Sequence, residues 1–241
     1  MNYRLISILG LLVLTAFVNV DTIERGQNKP SEKVYASNEK PNADLAIEHL
    51  FESLNTNHYN APKLASFKKA ITGFYELKQK GLIKKDILTL IDFSMSSNSK
   101  RLWVIDLKNN TILYNSLVAH GKNTGEEFAN SFSNASESNK SSLGFYVTGE
   151  IYHGKHGMSL RLDGLEKGVN DNARARGVVM HAADYVSQGF VKAHKRLGRS
   201  QGCPAVPVEM NSKIIDVIKD KSCLFIYHPT AKKEILAKLV S

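Results

Sequence analysis

The spacing of apolar positions divides the chain into a helical first part and a strand-rich remainder. Between residues 42 and 90, apolar residues recur at helical spacing in two stripes. The stripes consist of Leu45, Ile47, Leu50, Phe51 and Leu54, and of Leu64, Phe67, Ile71, Phe74, Tyr75 and Leu77. Gly81 predicts the end of the second helix, and segment 83–93 predicts a short helix followed by an extended run. We therefore expect a helical extension over residues 42–85.

Short apolar runs replace the helical pattern from residue 101 onward. Leu102–Asp106 and Thr111–Val118 flank an Asn-Asn turn and predict a β-hairpin. Further strands are predicted at 145–148, 158–162, 177–181 and 223–227, and one helix at 208–219. The pattern predicts an α+β protein. Its mostly β domain at 86–241, with mixed sheets in a sandwich-like arrangement, would carry the helical N-terminal extension.

The first 41 residues carry targeting and linker signals. Arg4 precedes the apolar run Leu5–Val18, which is shorter than the roughly 20 residues that a membrane-spanning helix needs. We expect a signal peptide at 1–20, export to the periplasm or cell envelope, and a polar linker at 21–41. An uncleaved membrane anchor is the alternative.

The basic net charge of the chain raises the question of an anionic partner. The 241 residues have a formal net charge of +9, with lysines scattered over the predicted helices. The sequence contains no zinc-finger spacing, basic-region heptads or aromatic-basic RNA motif, so we expect no nucleic-acid partner. We interpret the lysines as solvated helix faces. Peripheral association with an anionic wall polymer or a membrane surface stays open, as does the oligomeric state.

The two cysteines have contrasting surroundings. Cys203 lies in a turn containing Gly and Pro, whereas Cys223 lies in the apolar run 223–227. One interpretation is a disulfide between them, formed in an oxidising compartment. The difference in surroundings instead favours one reactive thiol, Cys203, and one structural thiol.

The turn around Cys203 holds the candidate chemistry. His181 ends a predicted strand upstream, and an imidazole within reach of a thiol is the minimum for a cysteine nucleophile. Gly202 lets the backbone approach a substrate, and the amides of Gly202 and Cys203 are candidate donors to an oxyanion. Ser200 is expected to orient the turn or to contact substrate. Many proteins contain a histidine and a cysteine, so this pair alone does not indicate catalysis. The neighbouring motifs provide the further evidence.

Several motifs occur in order around this pair. They are Gly154-Lys155-His156-Gly157-x-Ser159-Leu160, Leu165-Glu166-x-Gly168-x-Asn170-Asp171, Ala173-Arg174-x-Arg176 and Arg199-Ser200-x-Gly202-Cys203-Pro204-Ala205. Together with His181 they resemble the murein L,D-transpeptidase catalytic domain family, which has the YkuD-type fold. The likeness extends over residues 86–228.

The resemblance implies acyl transfer on peptidoglycan stem peptides, without a cofactor. Cys203 would attack the carbonyl of meso-diaminopimelate or a similar diamino acid, and the terminal D-alanine would leave a thioester behind. An amine from a second stem would then give a 3→3 crosslink, whereas water would make the enzyme an L,D-carboxypeptidase. A non-catalytic peptidoglycan-binding module of the same fold is a further alternative. The intact His, Ser, Gly and Cys set argues against that module.

The sequence departs from the family pattern at three positions. Ala205 replaces an arginine that is common two places after the cysteine, and Ala182 replaces the glycine after the histidine. Gln201 replaces a histidine, and we expect it to contact substrate. The candidates for the missing arginine's role are Arg199, Arg174 and Arg176.

Two of these arginines have an alternative interpretation. Arg174 and Arg176 are each expected to grip a stem carboxylate through a two-pronged contact. The alternative is a structural salt bridge to Glu166 or Asp171.

The histidines complete the candidate set. His156 is expected to shape or contact the substrate pocket. His120 opens the loop Gly121–Gly125, which is expected to border the cleft, with an ordinary loop histidine as the alternative. A zinc site would combine His153, His156, His181 and Cys203. No carboxylate for activating a zinc-bound water accompanies these residues, so we predict no metal.

Overall fold

The computed structural model describes residues 39–155 and 157–231. The helices are α1 (Glu39–Glu52), α2 (Leu64–Gln79), α3 (Gln188–His194) and α4 (Val208–Ile218). The strands are β1 (Ile87–Asp92), β2 (Leu102–Asp106), β3 (Thr111–Ser116), β4 (Gly144–Gly154), β5 (Gly157–Gly164), β6 (Val179–Ala182), β7 (Ala205–Val206) and β8 (Cys223–Tyr227). The predicted signal peptide and linker residues 21–38 lie outside the described residues. Within those residues, no helix combines the length and apolar character needed to cross a membrane.

Helix α2 forms where the second apolar stripe was identified. Its apolar face is buried, including Phe67, Ile71 and Phe74 at 0% exposure. Gly81 has φ +69°, a left-handed conformation that glycine adopts without steric cost. The Leu82 N–H donates to the Leu77 carbonyl at 3.0 Å. This bond closes the helix in the way that a C-terminal glycine cap does.

All eight strands belong to one mixed sheet in the order β3-β2-β1-β8-β4-β5-β6-β7. The β1–β8 and β6–β7 pairs are parallel, and the other neighbours are antiparallel. Just after β3, at one edge, Ala119 forms an antiparallel bridge with Ala205 of β7 at the other edge. The sheet therefore nearly closes into a barrel. The prediction of a mostly β, α+β protein with a helical N-terminal region is confirmed.

Alternating side chains fill two cores on the two faces of this sheet. Along β2, Trp103 and Ile105 point into a cluster that includes the buried face of α2. Leu102 and Val104 point into the other cluster, which lies inside the curved sheet and includes the buried side chains of α4. Successive residues of a strand face opposite sides, so β2 contributes side chains to both cores. The middle of the sheet is therefore buried on both faces and supports the loops at its edges.

One local prediction was wrong and one helix was missed, each for an identifiable reason. Segment 83–93 was expected to begin as a helix, but there the Lys84 N–H donates to the Lys221 carbonyl at 2.8 Å, and β1 follows. Helix α3 was not predicted, since it has no buried residue and therefore no apolar stripe. It begins at a polar cap, where the Ser187 hydroxyl accepts from the Phe190 N–H at 3.2 Å.

Candidate active site

Neighbouring strands bring the histidine and the cysteine turn together. His181 lies in β6, directly opposite Ala205 of β7 in the parallel register. Cys203 comes two residues before Ala205, so its turn lies beside the end of β6. His181 and Cys203 line the same cavity. The pair proposed from sequence is therefore assembled by the short β6–β7 ladder.

The hydrogen bond at His181 fixes which ring nitrogen is basic. His181 is only 4% exposed, and its Nδ1 lies 2.8 Å from the carbonyl oxygen of Ala182. Because a carbonyl oxygen only accepts, Nδ1 carries the proton and donates it to this bond. The lone pair of the neutral ring is then on Nε2. The ring is thus oriented as a base by its own strand.

A hydroxyl ties the cysteine turn together. The Ser200 hydroxyl donates to the Cys203 carbonyl at 2.6 Å and accepts from the Gly202 N–H at 3.0 Å. The Gly202 amide is therefore used inside the turn, which contradicts its prediction as an oxyanion donor. The Cys203 N–H donates to no other group in the described part of the chain, and it remains the candidate donor. Ser200 is the residue that orients the turn.

Gly202 is required by its conformation and by its neighbours. Its φ is +127°, and a Cβ at this position would lie 2.8 Å from the Lys140 carbonyl oxygen. That oxygen belongs to the backbone and cannot swing aside, so any side chain would displace the turn. The close backbone approach predicted for Gly202 is made to the protein's own loop.

Burial and local dipoles act in opposite directions on the Cys203 thiol. Burial raises its pKa above the ordinary value of 9, while the Val179 N–H and the charge of Arg176 oppose that rise. The Val179 N–H lies 3.4 Å from Sγ, and the thiol donates towards the Gly177 carbonyl at 3.8 Å. Burial thus favours the neutral thiol. A base that takes its proton would produce the nucleophilic thiolate.

Two cavities meet at Cys203. One has a volume of about 370 Å³ and is lined by Tyr152, Lys155, Gly177, Val179, His181, Tyr185, Arg199, Ser200, Gln201 and Cys203. The other has a volume of about 560 Å³ and is lined by Lys122, Glu137, Asn139, Arg176, Gly177, Val178, Gln201 and Cys203. Both volumes lie in the range of small-molecule sites. Cys203 is thus open from two sides, and Gln201 stands between them.

The arginines have different surroundings. Arg199 lines the cavity that contains His181, and its Nη1 is 2.6 Å from Oε1 of Glu126, a carboxylate that also pairs with Arg196. Arg176 lines the second cavity and donates to the Lys140 carbonyl at 2.6 Å. Among the described residues, no carboxylate pairs with Arg176. Its guanidinium also donates to the Ser133 carbonyl and to the Ser142 and Ser138 hydroxyls. A bound anion would therefore meet a positive charge without a carboxylate partner, although most of its N–H groups are already used.

Arg174 lines neither of the two cavities at Cys203. Its guanidinium pairs with Glu150, at 2.9 Å, and with Asp163. The alternative of a structural salt bridge is therefore correct for this residue, but with carboxylates of β4 and β5 instead of the expected Glu166 or Asp171. Nothing in the contacts of Arg174 supports a role in substrate binding.

The motif around Glu166 braces the start of β4. One oxygen of the Glu166 carboxyl accepts from the Phe145 N–H at 2.6 Å, and the Asn170 amide donates to the Leu143 and Phe145 carbonyls. Burial raises the pKa of Glu166 to about 7. The motif that helped to identify the family is therefore structural at these two positions.

Several lining residues were not singled out as site residues from sequence. Lys155 lies in the Gly-Lys-His-Gly motif, and Tyr152 precedes it on β4, so proximity to that motif was an available signal. Tyr185 and Lys122 carry no such signal. They reach the site through loops whose paths depend on the tertiary structure.

The remaining predicted groups can be placed briefly. His156 lies outside the described residues. Among the residues described, no cluster of three or more His, Cys, Asp or Glu side chains could hold a metal ion. Cys203 and Cys223 are both free thiols, so the disulfide interpretation is wrong.

Comparison with solved structures returns bacterial proteins at low similarity. An L,D-transpeptidase from Mycobacterium smegmatis has 12% identity and a TM-score of 0.37, covering 59% of this chain and 59% of that chain. The helical cell shape determining protein from Campylobacter jejuni has 15% identity and a TM-score of 0.38, covering 68% of this chain and 59% of that one. The chain thus spans less than two thirds of the length of these structures. No curated protein sequence matches the chain.

The sequence also matches a family model. The model is that of the L,D-transpeptidase catalytic domain, and the match runs over residues 59–227. This range includes α2, the complete sheet and both members of the His181–Cys203 pair. Since the match covers well over half of the sequence, the chain belongs to the L,D-transpeptidase catalytic domain family.

Proposed function

We propose that this protein is a peptidoglycan L,D-transpeptidase that forms 3→3 crosslinks through a thioester on Cys203. The observation that carries the proposal is the shared cavity of Cys203 and His181, in which the bond from Nδ1 to the Ala182 carbonyl leaves Nε2 as the basic nitrogen. A thiol in the same cavity as an oriented imidazole is a suitable arrangement for general-base activation.

The acylation half-reaction follows from these positions. Nε2 of His181 takes the thiol proton while Sγ attacks the carbonyl carbon that precedes the terminal D-alanine. The Cys203 N–H is the available donor to the developing oxyanion. When the tetrahedral intermediate collapses, the carbon–nitrogen bond breaks and the imidazolium returns its proton to the leaving amine. The products are free D-alanine and a thioester on Cys203.

The second half-reaction decides the class of enzyme. An incoming side-chain amine loses a proton to His181, attacks the thioester and releases the Cys203 thiol. The presence of two cavities at Cys203 supports a two-substrate reaction, because acyl donor and amine acceptor can approach from different sides. Arg176 is the candidate contact for a stem carboxylate. Water in place of the amine would give an L,D-carboxypeptidase.

The location of this activity is part of the proposal. The predicted signal peptide at 1–20 supports export to the periplasm or cell envelope, where the stem peptides are. The net charge of +9 supports association with anionic wall or membrane surfaces.

The test is incubation of the purified protein with tetrapeptide muropeptides, followed by mass spectrometry. We expect crosslinked dimers and released D-alanine, both lost in Cys203→Ala and both retained in Cys223→Ala. Tripeptides without dimers would replace the transpeptidase by the carboxypeptidase. Unchanged muropeptides would leave the non-catalytic binding module as the better reading.

A further inference from the structure

A buried arginine next to a buried histidine stands behind the cysteine turn and has no part in the mechanism above. Arg101 is 0% exposed, although it has no carboxylate partner in ion-pair contact among the described residues. Burial lowers its pKa to about 9 while the charge of buried Asp92 opposes that decrease, so the group is still charged at neutral pH. Burying a charge is costly unless hydrogen bonds compensate for it. The bonds that compensate here indicate what the arginine holds.

The guanidinium of Arg101 binds one short stretch of backbone and one ring. Its Nη2 donates to the Val118 carbonyl at 3.0 Å and lies 2.8 Å from Nδ1 of His120, while Nη1 donates to the Met95 carbonyl at 2.7 Å. The ring of Phe93 lies 4.8 Å below the guanidinium carbon. Arg101 thus fastens the segment 118–120 to the end of β1.

These contacts fix the state of His120. The guanidinium only donates, so Nδ1 of His120 accepts, and Nε2 donates to the Gly125 carbonyl at 3.2 Å. Burial, together with the charge of Arg101, lowers the pKa of His120 to about 4. The ring therefore stays neutral, in one tautomer, through the working pH range. It also sets the conformation of the 120–125 loop.

The segment held in this way contacts both ends of the cysteine turn. On one side, the His120 carbonyl accepts from the Ser200 N–H at 3.0 Å, and the Lys122 N–H donates to the Ser200 carbonyl at 2.8 Å. On the other side, the Ala119 N–H donates to the Ala205 carbonyl at 2.8 Å. Cys203 lies between these two attachment points.

We propose that Arg101 and His120 form a positioning pair, which fixes segment 118–122 and thereby holds the Cys203 thiol and N–H in register with the substrate. Its importance for wall chemistry rests on the proposed function, but the positioning of the thiol does not. The alignment needed for acylation is finer than that needed to fold, because a displacement of about 1 Å in a catalytic group can cost about 10²-fold in rate. The loop predicted to border the cleft therefore acts from behind the nucleophile.

The main test compares His120→Phe with His120→Gln. Phenylalanine keeps the ring against Phe93 but cannot accept from Arg101 or donate to Gly125, whereas glutamine retains one acceptor and one donor. Acylation of Cys203 by a carbapenem is separated into a binding constant and a first-order rate constant. We expect the rate constant of His120→Phe to fall at least tenfold with the binding constant within threefold, and His120→Gln to recover most of the loss.

The matched control is His49→Phe, which makes the same change at an exposed histidine of α1 that lies beside Glu52 and lines neither cavity at Cys203. Its acylation is expected to equal that of the wild type. Circular dichroism and the melting midpoint verify that each variant is folded. Wild-type acylation in folded His120→Phe would overturn the proposal, and so would a loss that glutamine does not recover. If His120→Phe does not fold, Arg101→Lys takes its place. Lysine cannot span the three acceptors, so undiminished acylation in that variant would also overturn the proposal.

Alkylation of Cys203 by iodoacetamide separates this proposal from the proposed function. Loosening of the turn exposes the thiol and relieves the burial that raises its pKa, so in folded His120→Phe alkylation becomes faster and its pH profile moves to lower pH. The wild type could make neither crosslinks nor tripeptides and still differ from His120→Phe in the rate and pH profile of alkylation. In that case the proposed function fails and the positioning pair stands. An unchanged alkylation profile in the folded variant contradicts the pair.

Discussion

The two cysteines show how the same thiol acquires different surroundings in two regions of one sheet. Cys223 lies in β8 and is fully buried in the core that includes Phe225 and the apolar face of α2. Burial raises its pKa. Cys203 lies in a turn at the sheet edge, where burial also raises the pKa but the Val179 N–H and Arg176 oppose it.

What distinguishes the two sites is access and neighbours, since burial raises the pKa of both. Cys203 opens into two cavities and shares one of them with His181. Cys223 is bordered by strands on either side. A raised pKa therefore marks neither thiol as reactive by itself, and the supply of a base and a route for substrate decides.

The largest expected effect comes from removing each thiol in turn. Cys203→Ala should abolish covalent labelling by a carbapenem, because it removes the thiol that faces the cavities. Cys223→Ala should retain full labelling while lowering the free energy of unfolding by about 1–2 kcal/mol, since it leaves a small void in the core. Intact-protein mass spectrometry and urea unfolding measure the two quantities. Labelling that survives Cys203→Ala would refute the nucleophile assignment.

The next effect concerns His181, the candidate base that shares a cavity with Cys203. His181→Gln keeps the thiol and the cavity but removes the basic Nε2, so we expect the acylation rate constant to fall by about 10²–10⁴-fold. Stopped-flow or quenched mass spectrometry with a carbapenem measures the rate. His194→Gln, an exposed histidine of α3, is the matched control and should react like the wild type. A decrease of less than threefold in His181→Gln would remove the histidine from the mechanism.

The smallest effect concerns Glu166, whose carboxyl accepts a hydrogen bond from β4, the strand that pairs with β8. Its protonation makes the stability of this region depend on pH. The pKa of Glu166 is raised from 4.5 to about 7, so folding favours the protonated form. The stability contributed by the proton is complete below pH 4.5 and is lost as pH rises through 7. We expect the free energy of unfolding to decrease by about 2–3 kcal/mol across that interval on account of this group.

Urea unfolding at pH 5 and pH 8 checks this expectation. Glu166→Gln should reduce the difference between the two pH values. Glu150→Gln should not, because the pKa of exposed Glu150 is lowered to about 2 by its hydrogen bonds to Arg174, so that group is ionised at both pH values. An identical pH dependence in wild type and Glu166→Gln would rule out this carboxyl as the source.

The sequence carried most of the fold and the centre of the site. Periodicity located α2, the β2–β3 hairpin and β8, because each buries a face whose spacing can be read directly. It did not locate α3, which buries nothing, or the extended start of segment 83–93, which depends on a contact with Lys221. Motifs identified Cys203, His181 and Ser200 as candidates because short runs of neighbouring residues mark their positions.

Other parts of the site depend on contacts between distant segments. The bond that uses the Gly202 amide, the carboxylates that pair with Arg174 and the burial of Arg101 all arise from side chains brought together by folding. Tyr185 and Lys122 reach the cavities in the same way. Spacing along the chain therefore predicted the candidate nucleophile and base, and the tertiary structure determined which residues contact them.

The bridge between Ala119 and Ala205 has a consequence for how the protein acquires its activity during folding. The two residues are far apart along the chain, and contacts of such long range carry a high loop-closure cost and form slowly. The β2–β3 hairpin and the α2 helix involve only local contacts and can form early. The cysteine turn is attached at this late closure, so the reactivity of Cys203 in refolding protein should rise only after most of the secondary structure is present.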